Sequence, residues 1–174
     1  MSESAQPTTP RKRRGCLRPL LILVVVVGAM ALAARAFLVD RIIVPEDVTY
    51  MSPALSPGAP AWLDKLSYRI SPPRRGDVVA IAAERARPGY VISRVVALPG
   101  ESVAAQDGAL VIDGDATAES YAHGELPPSF AAQRVSRAHY FVMPDDRSAA
   151  SAGEVHSGSV PRSDIIGRVL PAGE

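Results

Sequence analysis

The stretch YVISRVVALPGE, Tyr90–Glu101, decides how this chain folds. Val91, Ile92, Val95 and Val96 are β-branched, stiff at χ1 and suited to a pleated surface. The run halts at Leu98-Pro99-Gly100-Glu101, where Pro99 has no N–H to donate and Gly100 can take a left-handed turn. A strand over Tyr90–Leu98 followed by a tight turn is the expected element.

Working outward, the same signature repeats on both sides. Further strands are expected at Arg41–Val44, Asp77–Ala82, Leu110–Asp113, Tyr140–Met143 and Ile165–Leu170. Turn chemistry separates them, as in SPGAP (56–60), SPPRRGD (71–77), RPG (87–89), QDG (106–108), DGD (113–115), MPDD (143–146) and PRSD (161–164). Strands this short and this often interrupted predict an all-β, antiparallel sandwich or barrel. No helical period of useful length, internal repeat or coiled coil follows residue 40. Residues 114–138, polar and alanine-rich, lack a period and read as an irregular excursion from the sheet.

The first forty residues are of a different kind. Residues 1–19 begin with a polar, proline-bearing tail, expected to be disordered, and continue into RKRRGCLRP. LLILVVVVGAMALAARAFLV, residues 20–39, carries one charge, Arg35, near its far end. Twenty helical residues at 1.5 Å each match the roughly 30 Å of bilayer hydrocarbon, and Arg35 can snorkel to the interface. The basic cluster precedes the span, so the amino terminus is expected in the cytoplasm and residues 40–174 on the outer side. The segment alone fits a cleavable secretory signal equally well, with small residues at 31–33 or 34–36 for processing.

Charge sharpens the division. Residues 1–40 hold six Lys/Arg against two acidic residues, net +4, while the rest holds thirteen against sixteen, net −3. A mildly acidic body without a basic stripe argues against nucleic acid as a partner. Cys16 is the sole cysteine, so no internal disulfide forms. Beside a span it is open to acylation or is incidental.

Five segments in order resemble one family: VTYMSPAL (48–55), LDKLSYRISPPRRGDVVAI (63–81), YVISRVVALPGE, YFVMPDDR (140–147) and SGSVPRSDIIGRV (157–169). Together with an amino-terminal span they resemble bacterial signal peptidase I over most of residues 20–170, apart from the excursion. SRVVALPGE is the most specific piece. The resemblance implies an antiparallel β domain after one transmembrane helix, lying on the outer face of the cytoplasmic membrane. It also favours a retained anchor over a cleaved signal. The implied chemistry is removal of signal sequences from exported proteins by a Ser nucleophile with a neutral Lys as base. Such a Lys serves only where burial lowers its pKa, and fixed donors must hold the oxyanion.

The dyad positions depart from that pattern. Aligned on Met51 and Pro53, the nucleophile's place holds Tyr50; aligned on Arg94, the base's place holds Ser93. The last box keeps Asp145 and Arg147, but 151–155, SAGEV, lacks the family's Asp, Ser and Arg. Both dyad positions are therefore expected to be inert, with Met51 and Pro53 as the substrate-binding positions the resemblance offers.

Replacements are scarce. Lys12 lies in the cytoplasmic tail, and Lys65 falls where the family carries a non-catalytic Lys. His123, His139 and His156 are the other bases, none adjacent to Ser93, and His156 is nearest the degraded box. In an extended segment Thr49 faces away from Tyr50, and Ser52 shares its face about 6–7 Å further on. Tyr50 ordinarily titrates near pH 10. Asp145, Asp146 and Glu154 lack His or Cys partners at ligand spacing, so no metal and no other cofactor is expected. Arg94 and Arg147 read as structural. Trp62, the sole tryptophan, fits either the membrane interface or a partly buried core.

The functional expectation is a membrane-anchored signal peptidase I homologue with impaired or absent catalysis. Its expected partners are the cytoplasmic membrane and either signal peptides or an active sibling enzyme. An active serine endopeptidase and a secreted β-rich interaction protein are the alternatives.

Overall fold

The computed structural model describes residues 17–126, 129–151 and 157–173, with the side chains of residues 17, 31, 34–38, 150 and 151 outside the described set. The polar tail, Cys16, Glu154 and His156 therefore lie outside the described residues. The chain divides into two units, Met1–Phe37 and Leu38–Glu174.

The first unit contributes α1, Leu17–Leu38. Leu, Val, Ala and Met dominate it, and Pro19 sits in the first turn, where a missing N–H costs nothing. Leu20–Val27 are exposed on every side of the helix. Among the described residues no helix is long and apolar enough to cross a membrane.

The second unit is β-rich, as expected. β1 (Val39–Ile43), β2 (Pro60–Asp64), β3 (Val78–Ala82), β4 (Tyr90–Ala97), β9 (His139–Met143), β10 (Gly158–Pro161) and β11 (Ile165–Pro171) form a seven-stranded sheet ordered β1-β2-β11-β3-β4-β9-β10. β5 (Ser102–Gln106), β6 (Ala109–Ile112), β7 (Asp115–Ala116) and β8 (Gln133–Arg134) form a second sheet, β7-β6-β5-β8. Every pairing between these strands is antiparallel, and one isolated bridge, His123 with Asp146, is parallel. Two short helices, α2 (Ser67–Ile70) and α3 (Arg147–Ser151), complete it.

The six strands expected from sequence all appear, within two residues of the expected bounds at each end. The five missed ones are short, or poor in β-branched residues, as in PAWLD and SVAAQ. The excursion at 114–138 departs from the large sheet, yet its ends supply β7 and β8, each only two residues long.

Alternation along the strands gives the large sheet two apolar faces. One gathers Val44, Met51, Leu63, Val78, Ala80, Ile92 and Val169. The other gathers Tyr68, Val79, Ile81, Val95, Tyr140 and Val142. A third cluster, including Val96, Phe141, Val103 and Leu110, joins the two sheets. Gly167 is required by close approach, because a Cβ there would lie 2.6 Å from the Asp64 carbonyl oxygen.

Candidate functional site

Within VPEDVTYMSPAL, residues 44–55, the few residues around Tyr50 are read from the sequence as extended and are not. Val48 N–H bonds back to the Pro45 carbonyl at 3.0 Å, and Val48–Met51 is a 3-10 helix. The Ser52 and Leu55 amides bond to Thr49 and Met51 carbonyls, so the turn continues past Pro53. Val48, Met51 and Leu55 are its buried anchors, at 3, 0 and 3% exposure. With three residues per turn, Ser52 falls over Thr49 and not on Tyr50's side, which corrects the strand-based geometry. The Ser52 hydroxyl faces the Leu55 carbonyl at 3.5 Å. Met51 is a packing residue with no surface for a substrate, whereas Pro53 is exposed.

Tyr50 is half-buried and packs on the face containing Ile92. Its carbonyl accepts the Asp146 amide at 2.9 Å. Burial raises its phenol pKa, a backbone hydrogen bond at Ile92 opposes the rise, and the Asp47 charge adds to it. Ser93 is the next residue along β4. It is fully buried and pairs with Val79 across to β3. Alternation turns Ser93 towards the side of Val91 and Val95, opposite Ile92. Tyr50 thus packs on one face of β4 while the Ser93 side chain lies on the other.

Lys65 is elsewhere. Its ammonium meets Asp40 at 2.5 Å, beside the β1–β2 edge. His123 is exposed, and His139 is half-buried at the start of β9. Among the described residues no group of His, Cys, Asp and Glu is arranged to hold a metal ion.

Behind the Tyr50 segment lies a buried ionic network. Arg94 donates from Nε to Asp145 Oδ1 at 2.7 Å, from Nη2 to Oδ2, and from Nη1 to the Gly76 carbonyl at 2.8 Å. Its guanidinium lies 4.2 Å from the Tyr121 ring centre. Arg147 Nη2 and the Tyr121 hydroxyl both donate to Glu119 Oε1, each at 2.6 Å. The Tyr121 pKa is raised by burial and by that carboxylate, with the arginines opposing. Residues 119–123 are fastened to the PDDR turn again by His123 N–H to the Asp145 carbonyl and Arg147 N–H to the His123 carbonyl. Glu119 and Tyr121 were not singled out in the sequence. The available signal was charge balance: two arginines in the motif boxes need more than Asp145 once they are buried.

The family model for signal peptidase, peptidase S26, matches residues 17–171. The chain belongs to that family. It is 32% identical to probable signal peptidase I-1 of Synechocystis sp., over 87% of this chain and 78% of that protein. It is 28% identical to signal peptidase I of Leptolyngbya laminosa, over 97% of this chain and 89% of that protein. A crystal structure of a signal peptidase I from Enterococcus faecalis V583 aligns at a TM-score of 0.45 and 24% identity, over 56% of this chain and 97% of that one. Within this family chain, Tyr50 and Ser93 stand where the resemblance assigns nucleophile and base. Chemically the pair offers a phenol made less acidic by burial and a buried hydroxyl, neither of which accepts a proton at neutral pH.

Proposed function

We propose that this chain is a membrane-anchored signal peptidase homologue that has lost amide hydrolysis and retains a peptide-binding groove. The observation that carries the reading is the absence of an amine at position 93. Lys65, the sole lysine after residue 40, pairs with Asp40. An alcohol needs a base to become a nucleophile, and loss of such a pair removes several powers of ten in rate.

The groove reading rests on the sheet. β9 pairs with β4 at Arg94, Val95 and Ala97, so Tyr90–Ser93 carry no β9 partner among the described residues. An extended peptide adds to a strand margin of this kind through main-chain hydrogen bonds, displacing the Tyr50 phenol from the Ile92 backbone. The proposed occupants are signal peptides of exported proteins, delivered alone or beside an active sibling peptidase. Residues 20–39 are the proposed single anchor in the cytoplasmic membrane, with the β domain on its outer side, because their length and apolarity match the bilayer.

The test uses the full chain in detergent with a radiolabelled exported precursor. The expected result is saturable crosslinking of the signal peptide without cleavage, and retention of the chain in carbonate-washed membranes. Cleavage at a rate comparable to that of an intact family enzyme, or failure to crosslink, would end this reading.

A further inference from the structure

A cavity of about 270 Å³ opens beside α2, on the opposite side of the large sheet from the Tyr50 ring. Asp77 lies in its wall and is saturated. One carboxylate oxygen accepts the Tyr68 hydroxyl at 2.8 Å and the Arg74 amide at 2.9 Å, and the other meets Arg168 Nε at 3.2 Å. Arg162, close to Tyr68, is committed to the carbonyls of Ile165 and Tyr68. Two lining guanidinium groups retain donors: Arg168 is bonded through Nε alone, and Arg74 makes no side-chain hydrogen bond or ion pair among the described residues. With one carboxylate against two guanidiniums, the cavity carries a net positive charge. Ser71 adds a hydroxyl at its margin.

The neighbourhood is apolar. Ile70, in the cavity wall, is 78% exposed. Arg168 and Leu170 share a face of β11, Leu170 pairs with Trp62, and Trp62 and Ile43 are 41% and 60% exposed. Fork-shaped guanidinium donors beside exposed apolar side chains fit a phosphate carrying acyl chains. Chain connectivity supplies the location. Val39, the residue after α1, pairs with Asp64, and Asp64 pairs with Arg168. Arg168 is therefore two strand spacings, about 10 Å, from Val39.

We infer that the cavity between α2 and Arg168 binds the phosphate of an anionic phospholipid headgroup, with Arg74 and Arg168 as the clamp and Ile70 and Trp62 against the acyl chains. The site rests on the anchor reading only for bringing the chain to a lipid surface, and not for its chemistry.

Trp62, the sole tryptophan, serves as the reporter. The full chain in maltoside micelles is titrated with brominated phosphatidylglycerol, with brominated diacylglycerol as the phosphate-free control. Quenching of Trp62 is expected at about tenfold lower phosphatidylglycerol than diacylglycerol. Arg74→Ala should raise only the phosphatidylglycerol midpoint, by roughly tenfold, the worth of one charge-assisted contact. Arg74→Lys should recover part of it. Because the Arg74 side chain has no partner among the described residues, Arg74→Ala should keep its melting temperature, whereas Arg168→Ala also disturbs Asp77 and is a secondary check. Equal midpoints for the two lipids, or an unmoved midpoint in Arg74→Ala, would overturn the inference. So would inorganic phosphate stabilising the protein where the lipid does not, which would assign the site to a free anion. Carbonate extraction tests the anchor separately, so loss of the anchor with an intact phosphate preference would refute only the anchor reading.

Discussion

Replacing Asp145 with alanine strands the Arg94 guanidinium. Asp145 is fully buried and Arg94 is 9% exposed, so water cannot take over the two hydrogen bonds that are lost. The Gly76 carbonyl and the Tyr121 ring remain as Arg94's partners, but neither carries a charge to neutralise it. Removing one member of a buried pair costs about 3–5 kcal/mol, a large fraction of the roughly 5–15 kcal/mol that holds a domain together. Equilibrium denaturation in urea, followed by Trp62 emission, reads the loss as a lower midpoint. The same physics predicts a partial rescue: Arg94→Met with Asp145→Leu removes both charges and should recover most of the stability. A loss below about 1 kcal/mol for Asp145→Ala would mean that the pair is solvated or replaceable, and would refute the network as the support of the Tyr50 segment.

Gly167→Ala forces a Cβ to within 2.6 Å of the Asp64 carbonyl; thermal denaturation should show a loss of about 2 kcal/mol. Tyr50→Phe keeps the ring on the Ile92 face and should cost under about 1 kcal/mol, whereas Tyr50→Ala should cost about 2 kcal/mol by opening a half-buried gap, both read from urea midpoints. The Tyr68 phenol is pushed up by burial and by the Asp77 carboxylate that it bonds. A group raised on folding stabilises fully below its unfolded pKa of about 10, and that stability falls as pH climbs from there towards the folded value. The midpoint should therefore drop above that pH, and less so in Tyr68→Phe, with tyrosinate absorbance following the same step.

Much of the β architecture was legible because Val and Ile runs alternate with Pro-Gly-Asp turns; four of those runs became β3, β4, β9 and β11 inside the large sheet, and the other two its edge strand β1 and β6 of the second sheet. β2 and β5 were not legible: their apolar content is Ala, Leu and Trp, with Val103 the one β-branched residue between them. The Tyr50 segment misled for a related reason. Its three buried anchors at helical spacing were present in the letters, but the prolines on either side favoured an extended reading. The positions of Tyr50 and Ser93 could be found by order along the chain, while their facing to opposite sides of β4 required the β3 register. Glu119 and Tyr121 stayed hidden because a polar stretch without a period gives no hint that it folds back onto buried arginines.

Precursor cleavage by the purified full chain, measured beside an intact family enzyme at equal concentration, reaches most directly to the claim that this groove has no working nucleophile. The expectation is product no faster than the no-enzyme control. Sequence-specific cleavage by the unaltered chain, surviving removal of trace contaminants and abolished by substituting one of its own hydroxyl residues, would contradict it.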